Sequence, residues 1–305
     1  MSTQIWRHPG ANPLKILIIC FSQTGNTRKI AACIQQGILE ATGTCQLCDL
    51  KTATQIDLSA FDLVGLGCPV FYYQEPLNVR DFISQLPELR GKKWFLFCTH
   101  GTIMGNIFHA MTTQLKNKGV VVIGYHDTYA DVWMPFYPHP HYTTGHPDNQ
   151  DFKEAQAFGH EIVKRRACYD AADTGVQPEA IPDEWAQNAA LFTPQRMPKM
   201  FPPLNIDMDT CTQCQLCEAE CPVDGIDVTA SPPRLQTPCI YCWRCVNICP
   251  EKAIQADWTD LVKMAPKLYE RYRYWLDQAA AANRFRWLVD PDSIDFTKPY
   301  YLQKK

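Results

Sequence analysis

The chain has 305 residues, of which 46% are hydrophobic, 20% charged and 11% aromatic, and its formal net charge is −3. This length predicts two domains, because one hydrophobic core rarely grows beyond about 250 residues. The composition excludes a disordered or collagen-like chain, and the near-neutral charge argues against nucleic-acid binding. The apolar run 16–20 is too short to span a bilayer, and no secretory signal is visible. We therefore expect a cytoplasmic protein without a transmembrane segment.

The first half of the chain alternates short apolar runs with segments of helical periodicity. Strands are predicted at 16–20, 62–67, 94–98 and 120–125, with Cys45 and Cys48 in a further strand between the first two. Helices are predicted at 27–39, 77–86, 107–116 and 151–166. This order of elements is typical of a parallel sheet with helices on both faces and right-handed crossovers. Cys20, Cys68 and Cys98 fall at predicted strand ends, where we expect them to be buried thiols.

A loop rich in hydroxyl groups joins the first strand to the first helix. Its candidate binding residues are Ser22, Gln23, Thr24, Gly25, Asn26 and Thr27. The hydroxyls can donate to a phosphate, Gly25 lets the backbone approach closely, and the N–H groups of a helix start bind anions. The loop has neither the lysine of a nucleoside triphosphatase loop nor the GxGxxG pattern. The pattern favours a phosphate site over an ordinary Ser/Thr-capped helix.

The Ser-x-Thr-Gly-x-Thr loop after a first apolar strand resembles the flavodoxin family, whose members bind FMN through its phosphate. The similarity covers roughly residues 13–167. It implies an α/β doubly wound parallel sheet of strand order 2-1-3-4-5, with the flavin beyond the strand ends. It also implies that two later loops contact the isoalloxazine ring, through Pro69, Val70, Phe71, Tyr72, Thr99, His100 and Gly101. Which of Phe71, Tyr72 and Tyr73 stacks on the ring stays open.

One segment departs from small flavodoxins. Residues 130–148 form a long loop of aromatic residues, prolines and histidines, which we expect either to cover the flavin or to dock a partner. A metal site at His139, His141 and His146 is less favoured than a surface loop. The reason is that no cysteine accompanies these histidines and the carboxylates lie only at the loop ends.

Two cysteine repeats follow a proline-rich linker. The motif Cys-x-x-Cys-x-x-Cys-x-x-x-Cys-Pro occurs twice within residues 205–257, with the spacing of bacterial ferredoxins. In that arrangement one repeat supplies three ligands of a [4Fe–4S] cluster and the other repeat the fourth. One cluster would bind to Cys211, Cys214, Cys217 and Cys249, and the second to Cys221, Cys239, Cys242 and Cys245. Zinc is disfavoured, because four-cysteine zinc sites use two separated CxxC pairs.

The predicted organisation has four parts. These are a flavodoxin-like FMN-binding domain at 1–168, the linker at 169–204, a small α+β ferredoxin-like domain at 205–257 and a helical extension at 258–305. The extension has the pattern of an amphipathic helix, and Pro266 either kinks this helix or stands near its start. Packing of this helix within the chain is favoured over docking to a redox partner or to a membrane surface.

The two halves together resemble the fused flavodoxin–ferredoxin electron-transfer proteins of anaerobic organisms. This resemblance implies low-potential electron transfer among FMN, two [4Fe–4S] clusters and a redox partner, such as a ferredoxin, a hydrogenase or another oxidoreductase. One alternative is an FMN-dependent oxidoreductase that reduces a small substrate, with His100, His139 or His141 as proton donor. The other alternative is a redox sensor. No acid–base or nucleophilic constellation stands out, which favours a carrier over an enzyme, and homo-oligomerisation stays open.

Overall fold

A five-stranded parallel sheet forms the first half of the protein in the computed structural model, which describes residues 14–170 and 173–303. The strand order is β2-β1-β3-β4-β5, as the sequence predicted. The strands are β1 (Ile16–Cys20), β2 (Gln46–Asp49), β3 (Leu63–Pro69), β4 (Lys93–His100) and β5 (Val121–Tyr129). Strand β2 is added on one side of β1, and strands β3 to β5 are added on the other side. The carboxyl ends of β1 and β3 therefore mark the switch point of the sheet.

Helices cover both faces of this sheet. They are α1 (Asn26–Thr42), the single turn α2 (Leu50–Ala53), α3 (Leu77–Gln85), α4 (Ile107–Lys116) and α5 (Asn149–Arg166), with a 3₁₀ turn at Leu58–Ala60. The side chains of β1 contact both helix layers, because alternate side chains of a strand point to opposite faces of the sheet. Leu17 and Ile19 pack with α3 and α4, whereas Ile16 and Ile18 pack with α1 and α5.

Helices α1 and α5 approach each other closely through glycine. A Cβ atom on Gly37 would lie 2.0 Å from the carbonyl oxygen of Gln156, and one on Gly159 would lie 2.2 Å from that of Ile34. Only glycine permits this contact between the two helix backbones. The contact fixes α1, and therefore the loop that precedes it, against the rest of the domain.

The proline-rich segment lies along the free edge of the sheet. Val176 N–H donates to the carbonyl of Val122 in β5 at 2.8 Å, which protects an otherwise open strand edge. The segment also contains two helices that the sequence interpretation did not include, α6 (Asp183–Leu191) and the one-turn α7 (Met197–Met200). Two acidic residues in the first turn of α6, Asp183 and Glu184, favour a helix start there.

The cysteine-rich region folds as two equivalent halves. Strands β6 (Asn205–Ile206) and β7 (Ile254–Gln255) pair antiparallel, and the short helices α8 (Leu216–Ala219) and α9 (Arg244–Ile248) each contain the third cysteine of a repeat. Left-handed backbone recurs 28 residues apart, at the pairs Gln213 and Tyr241, Gln215 and Trp243, and Asp224 and Lys252. A Cβ atom on Gly225 would lie 1.8 Å from the carbonyl oxygen of Pro238, so glycine allows the close approach of these two segments.

The C-terminal extension packs within the chain. Helix α10 (Thr259–Ala281) runs through Pro266, which excludes one of the two alternatives, namely that this proline stands near the helix start. A 3₁₀ turn at Pro291–Ser293 and the short α11 (Tyr300–Gln303) follow it. Tyr269 and Leu276 of α10 are fully buried in a core shared with Phe136 and Tyr137 of the 130–148 loop. Among the described residues, no helix is both long enough and apolar enough to cross a membrane.

Candidate cofactor sites

The loop before α1 is shaped by its own hydrogen bonds. Ser22 Oγ accepts the backbone N–H groups of Gly25 at 3.1 Å and Arg28 at 3.3 Å. Gly25 has φ 98°, a conformation that disfavours any residue with a Cβ atom. Ser22 and Gly25 therefore act on the shape of the loop, and they do not line the pocket beside it.

A pocket of about 600 Å³, including the space at its mouth, opens above the carboxyl ends of β1, β3 and β4. We call it the phosphate-loop pocket. Eleven of the thirteen residues predicted to bind the flavin line it: Gln23, Thr24, Asn26, Thr27, Pro69, Val70, Phe71, Tyr72, Thr99, His100 and Gly101. This set combines hydroxyl and amide groups with aromatic and aliphatic groups. Such a pocket fits a molecule with a phosphate tail and a flat apolar head.

Donor groups in this pocket are available to a ligand. The Thr24 hydroxyl is exposed and makes no hydrogen bond within the described part of the chain, whereas the Thr27 hydroxyl pairs with that of Thr99 at 2.8 Å. His100 Nε2 lies 3.1 Å from Asp127 Oδ2, while the buried Nδ1 of the same ring has no partner among the described residues. A buried unpartnered ring nitrogen indicates a site built for a hydrogen-bonding ligand. These groups fit FMN.

Seven further residues line the pocket wall; the sequence interpretation expected the 130–148 loop either to cover the flavin or to dock a partner, and it did not place the cysteine-rich region here. Five belong to the 130–148 loop and two to the cysteine-rich region: Ala130, Asp131, Val132, Trp133, Met134, Tyr241 and Cys242. Asn26 Nδ2 donates to the carbonyl of Asp131 at 3.2 Å, which ties the long loop to the phosphate loop. The aromatic content of the long loop was a usable signal for Trp133. Tyr241 and Cys242 lie more than 200 residues from the phosphate loop, and no sequence pattern indicates that contact.

The eight clustered cysteines divide into two sets, each around its own cavity. Cys211, Cys214, Cys217 and Cys249 line one cavity of about 370 Å³, which we call the outer cage. Cys221, Cys239, Cys242 and Cys245 line another of about 400 Å³, the inner cage. Each set combines three cysteines of one repeat with the fourth of the other, which is the grouping that the sequence predicted.

The spacing of the sulfur atoms separates iron–sulfur from zinc binding. Zinc bonded to four thiolates at about 2.3 Å in a tetrahedron requires sulfur atoms about 3.8 Å apart. In residues 14–170 and 173–303, no three cysteine sulfurs all lie within 4.8 Å of one another. The cages are therefore too wide for a single zinc ion and suit a larger group.

Some cage sulfurs accept hydrogen bonds from backbone N–H groups, and others have pKa values raised by burial. Equivalent N–H groups point to the last cysteine of each repeat, from Gly225 to Cys221 Sγ at 3.2 Å and from Ala253 to Cys249 Sγ at 3.3 Å. Burial raises the pKa of Cys242 to about 12 and that of Cys239 to about 11. These thiols are protonated when free at neutral pH, so ligation must release their protons.

The inner cage and the phosphate-loop pocket share a wall, and Cys242 lines both. The amide of Gln23 donates to the Cys242 carbonyl, and the Arg244 guanidinium donates to the Gln23 carbonyl. On the other side of this wall, the Tyr72 hydroxyl donates to the Tyr241 carbonyl at 2.7 Å. The residues that touch one cavity are therefore bonded directly to those that touch the other.

The Tyr72 hydroxyl also accepts the indole N–H of Trp243 at 3.0 Å. Trp243 is only 2% exposed, so its indole is part of the buried core. Next to the inner cage, Ile240 is buried in the same core as Leu17 and Ile19 of β1. The hydrophobic core of the sheet thus extends into the cysteine-rich region.

The two cages differ in their access to solvent. The inner cage stands between the sheet domain and buried aromatic residues, whereas Cys214 of the outer cage is exposed. Leu216, which lines the outer cage, is 40% exposed. An external protein can therefore approach the outer cage at Cys214, whereas all four cysteines of the inner cage are partly buried.

The loop histidines do not converge on a metal site. His146 Nδ1 lies 2.6 Å from Asp151 Oδ2, and the Arg286 guanidinium already neutralises Asp148 and Asp151 at 2.7 and 2.9 Å. His141 is buried beside Tyr137, and burial lowers its pKa to about 3. These contacts favour the structural interpretation of the histidines. Cys20, Cys68 and Cys98 are buried thiols whose pKa values burial raises, as expected of packing residues.

Comparison with known proteins supports both halves of this assignment. A family model described as a flavodoxin domain matches residues 17–121, and a 4Fe-4S dicluster domain model matches residues 203–250. The chain is 30% identical over 110 residues to a flavodoxin of Megasphaera elsdenii, an alignment that covers 35% of this chain and 80% of that protein.

Solved flavodoxin structures are similar to the sheet domain. A flavodoxin from the domain Archaea is 19% identical with TM-score 0.41, covering 50% of this chain and 99% of that one. The two-electron reduced M. elsdenii flavodoxin is 25% identical with TM-score 0.39, covering 49% and 98%. Oxidised Flavodoxin 2 from Bacillus cereus is 20% identical with TM-score 0.39, covering 50% and 99%.

Fold, pockets and comparisons together define a flavin and iron–sulfur electron-transfer protein. The chain belongs to the flavodoxin family, with a 4Fe-4S dicluster domain fused after the flavodoxin domain. The flavodoxin domain implies FMN, and the dicluster domain implies 4Fe-4S ligation.

Proposed function

We propose that this chain relays electrons between an external redox protein and FMN through two [4Fe–4S] clusters. The order of the relay is the outer cage, the inner cage and then the phosphate-loop pocket. One observation carries this order, namely that Cys242 lines both the inner cage and the phosphate-loop pocket. Bound FMN would supply the exchange between two-electron and one-electron transfer, while the protein supplies position and electrostatics.

Support for two clusters comes from the symmetry of the cysteine-rich region. The left-handed residues repeat at a spacing of 28, and so do the N–H donors to Cys221 and Cys249. Each cage has four cysteines, and the width between their sulfurs disfavours zinc. Equivalent backbones with equivalent donors favour equivalent cofactors.

The FMN assignment rests on the combination of groups that line the phosphate-loop pocket. Thr24, Thr27 and the N-terminal N–H groups of α1 would bind the phosphate. Phe71, Tyr72 and Trp133 would contact the ring, and His100 Nδ1 would offer it a hydrogen bond. The hydrogen bonds from Tyr72 and Gln23 hold one wall of the pocket at a fixed distance from the inner cage.

The exposed outer cage is the proposed docking end for the partner. Residues 206–257 contain eight acidic and three basic residues, a net charge of −5 before any cluster is counted. Asp207 and Asp209 precede the first ligand, and Glu251 lines the outer cage. Charge complementarity therefore points to a partner with a basic surface, whose association rate falls as salt rises.

Removing the outer cluster tests the relay. The anaerobically purified protein should contain FMN and two [4Fe–4S] clusters by chemical analysis and electron paramagnetic resonance. After a pulse of reduced methyl viologen, Cys214→Ala should slow the reduction of bound FMN by about tenfold or more, because electrons must bypass the outer site. Cys168→Ala, an exposed cysteine outside both cages, is the matched control. Equal rates of FMN reduction in both variants would contradict the proposed order.

A further inference from the structure

The two cages have equivalent backbones, so each can serve as an internal reference for the other. A position in the first repeat corresponds to the position 28 residues later in the second, as Cys214 does to Cys242. Side chains at equivalent positions can therefore be compared directly. A difference in charge matters most, because the reduction potential of an iron–sulfur cluster depends on nearby charge and on hydrogen bonds to its sulfurs.

Apart from the cysteines, one charged side chain lines each cage among the described residues, and the two charges are opposite. Arg244 lines the inner cage, and Glu251 lines the outer cage. Their equivalents are aliphatic. Leu216 lines the outer cage at the position that corresponds to Arg244. Val223 lines the inner cage at the position that corresponds to Glu251. The inner cage thus has a cation that the outer cage lacks, and the outer cage has an anion that the inner cage lacks.

Hydrogen bonds hold the guanidinium of Arg244 in place. Its Nε donates to Glu220 Oε2 at 3.0 Å, its Nη2 donates to the same oxygen, and its Nη1 donates to the Gln23 carbonyl. Glu220 offsets part of the positive charge. However, Glu220 lines neither cage, and its side chain is 43% exposed compared with 27% for Arg244. Water therefore screens the anion more than the cation, and a positive charge remains at the wall of the inner cage.

Backbone donors favour the same cage. Both cages have an N–H donor to the last cysteine of a repeat. In the inner cage, Tyr241 N–H donates to Cys239 Sγ at 3.2 Å as well. Gln213, which corresponds to Tyr241, makes no such hydrogen bond to Cys211 within the described residues. A hydrogen bond to a cluster sulfur stabilises the added negative charge of the reduced state, so this donor also favours reduction at the inner cage.

Burial acts in the opposite direction. Water at the exposed Cys214 would stabilise negative charge at the outer cage, whereas the inner cage is less accessible to water. The low accessibility of the inner cage also strengthens attraction between Arg244 and negative charge there, because the effective dielectric constant is lower. At the outer cage, the Glu251 carboxylate repels any added electron. The two side-chain charges therefore act together against the difference in exposure.

We propose that Arg244 raises the reduction potential of the inner cluster above that of the outer cluster, so that electrons entering at the outer cage move inward. This proposal rests on the proposed function, because it requires both clusters. One electron leaves the reduced outer cluster, which is oxidised, and enters the inner cluster, which is reduced. No bond forms or breaks, and no proton moves. Since Cys242 lines both the inner cage and the phosphate-loop pocket, an electron at the inner cage stands next to the flavin site.

Redox titration followed by electron paramagnetic resonance measures the two midpoint potentials in anaerobic holoprotein of known iron and FMN content. Cys214→Ala, which lacks an outer ligand, identifies the signal of the inner cluster. Arg244→Leu gives the inner cage the side chain that the outer cage has at the equivalent position. It should shift the distribution of an electron between the clusters about tenfold or more toward the outer cluster. For one electron this is a shift of about 59 mV.

Three further variants separate charge from structure. Leu216→Arg should favour reduction of the outer cluster by about threefold or more, less than the effect at Arg244 because Leu216 is 40% exposed. Arg244→Lys keeps the charge and should change the inner potential much less than Arg244→Leu. Arg196→Leu removes the same charge at an exposed position outside both cages and should leave both potentials unchanged. If Arg244→Leu folds poorly, Leu216→Arg and Glu251→Gln test the same argument, since each should make the outer cluster easier to reduce.

The contrary outcomes are distinct. Equal potentials, or an outer cluster that is reduced first, would overturn the inward direction and leave the relay intact. A shift in Arg244→Leu no larger than in Arg196→Leu would overturn the role of Arg244. A shift in Arg244→Lys as large as in Arg244→Leu would assign the effect to the lost contacts and not to the charge. Holoprotein with fewer than two clusters, or without FMN, would overturn the proposed function itself.

Discussion

Thr24→Val is the most direct perturbation of the phosphate loop. The Thr24 hydroxyl is exposed at the pocket and makes no hydrogen bond within the described chain, so its removal leaves no protein group unpaired. A hydrogen bond to a charged group contributes about 1.5–3 kcal/mol. Since about 1.4 kcal/mol corresponds to a tenfold change in Kd, the variant should bind FMN about 10- to 150-fold more weakly.

The assay is titration of FMN into flavin-depleted protein, followed through the fluorescence of free FMN. Thr113→Val is the matched control, because this exposed threonine of α4 bonds only to its own helix, at His109. Adding Thr27→Val should weaken binding further, although part of that effect comes from the Thr99 hydroxyl that loses its partner. A Kd for Thr24→Val within about threefold of the original protein would refute the phosphate assignment.

Three further predictions concern the clusters, the fold and pH. Cys214→Ala should remove about four iron atoms per chain, one cluster's worth, and leave FMN bound. Gly37→Ala should lower the free energy of unfolding by about 1–3 kcal/mol in urea titrations, because the new Cβ meets the Gln156 carbonyl at 2.0 Å. His141 has a folded-state pKa of about 3, so the unfolded chain binds its proton first and stability falls as pH decreases below about 6.5. His141→Asn should reduce the loss of stability between pH 7.5 and 5 by about 2 kcal/mol.

Each of these three has its own control or contrary outcome. FMN that dissociates together with the iron of Cys214→Ala would show that the cofactor sites depend on each other. Ala32→Gly on the exposed face of α1 should cost about 1 kcal/mol of helix propensity, so without a clash Gly37→Ala should gain a similar amount, and an unchanged or increased free energy of unfolding for Gly37→Ala would argue against a steric clash. An unchanged pH profile in His141→Asn would mean that other groups control acid stability.

The sheet was predictable from sequence because buried parallel strands are continuous apolar runs. The run 16–20 is β1 to the residue, and strand order followed from the flavodoxin resemblance. Helix α6 was missed, because the surrounding prolines outweighed the weak periodicity of residues 183–191. Helix α10 continues through Pro266, because burial of Tyr269 and Leu276 beyond it outweighs the cost of an interior proline.

The candidate sites, like the fold, were predictable from the sequence only in part. Site residues within one loop or one cysteine repeat could be predicted, because residues that bind the same group from one loop or repeat lie close together in the sequence. The shared wall at Cys242 was not visible. It forms where the cysteine-rich region and the 130–148 loop pack on the sheet domain, and such long-range packing leaves no local pattern.

The covalent link between the two halves has a kinetic consequence. A free-standing flavodoxin must meet its electron donor by diffusion, at a rate set by concentration and ionic strength. Here Ile240 and Cys242 already occupy a docked position against the sheet domain, so the donor is never lost to bulk solution. The step between the inner cage and the flavin should therefore proceed at the same rate in dilute and concentrated solution, and in low and high salt.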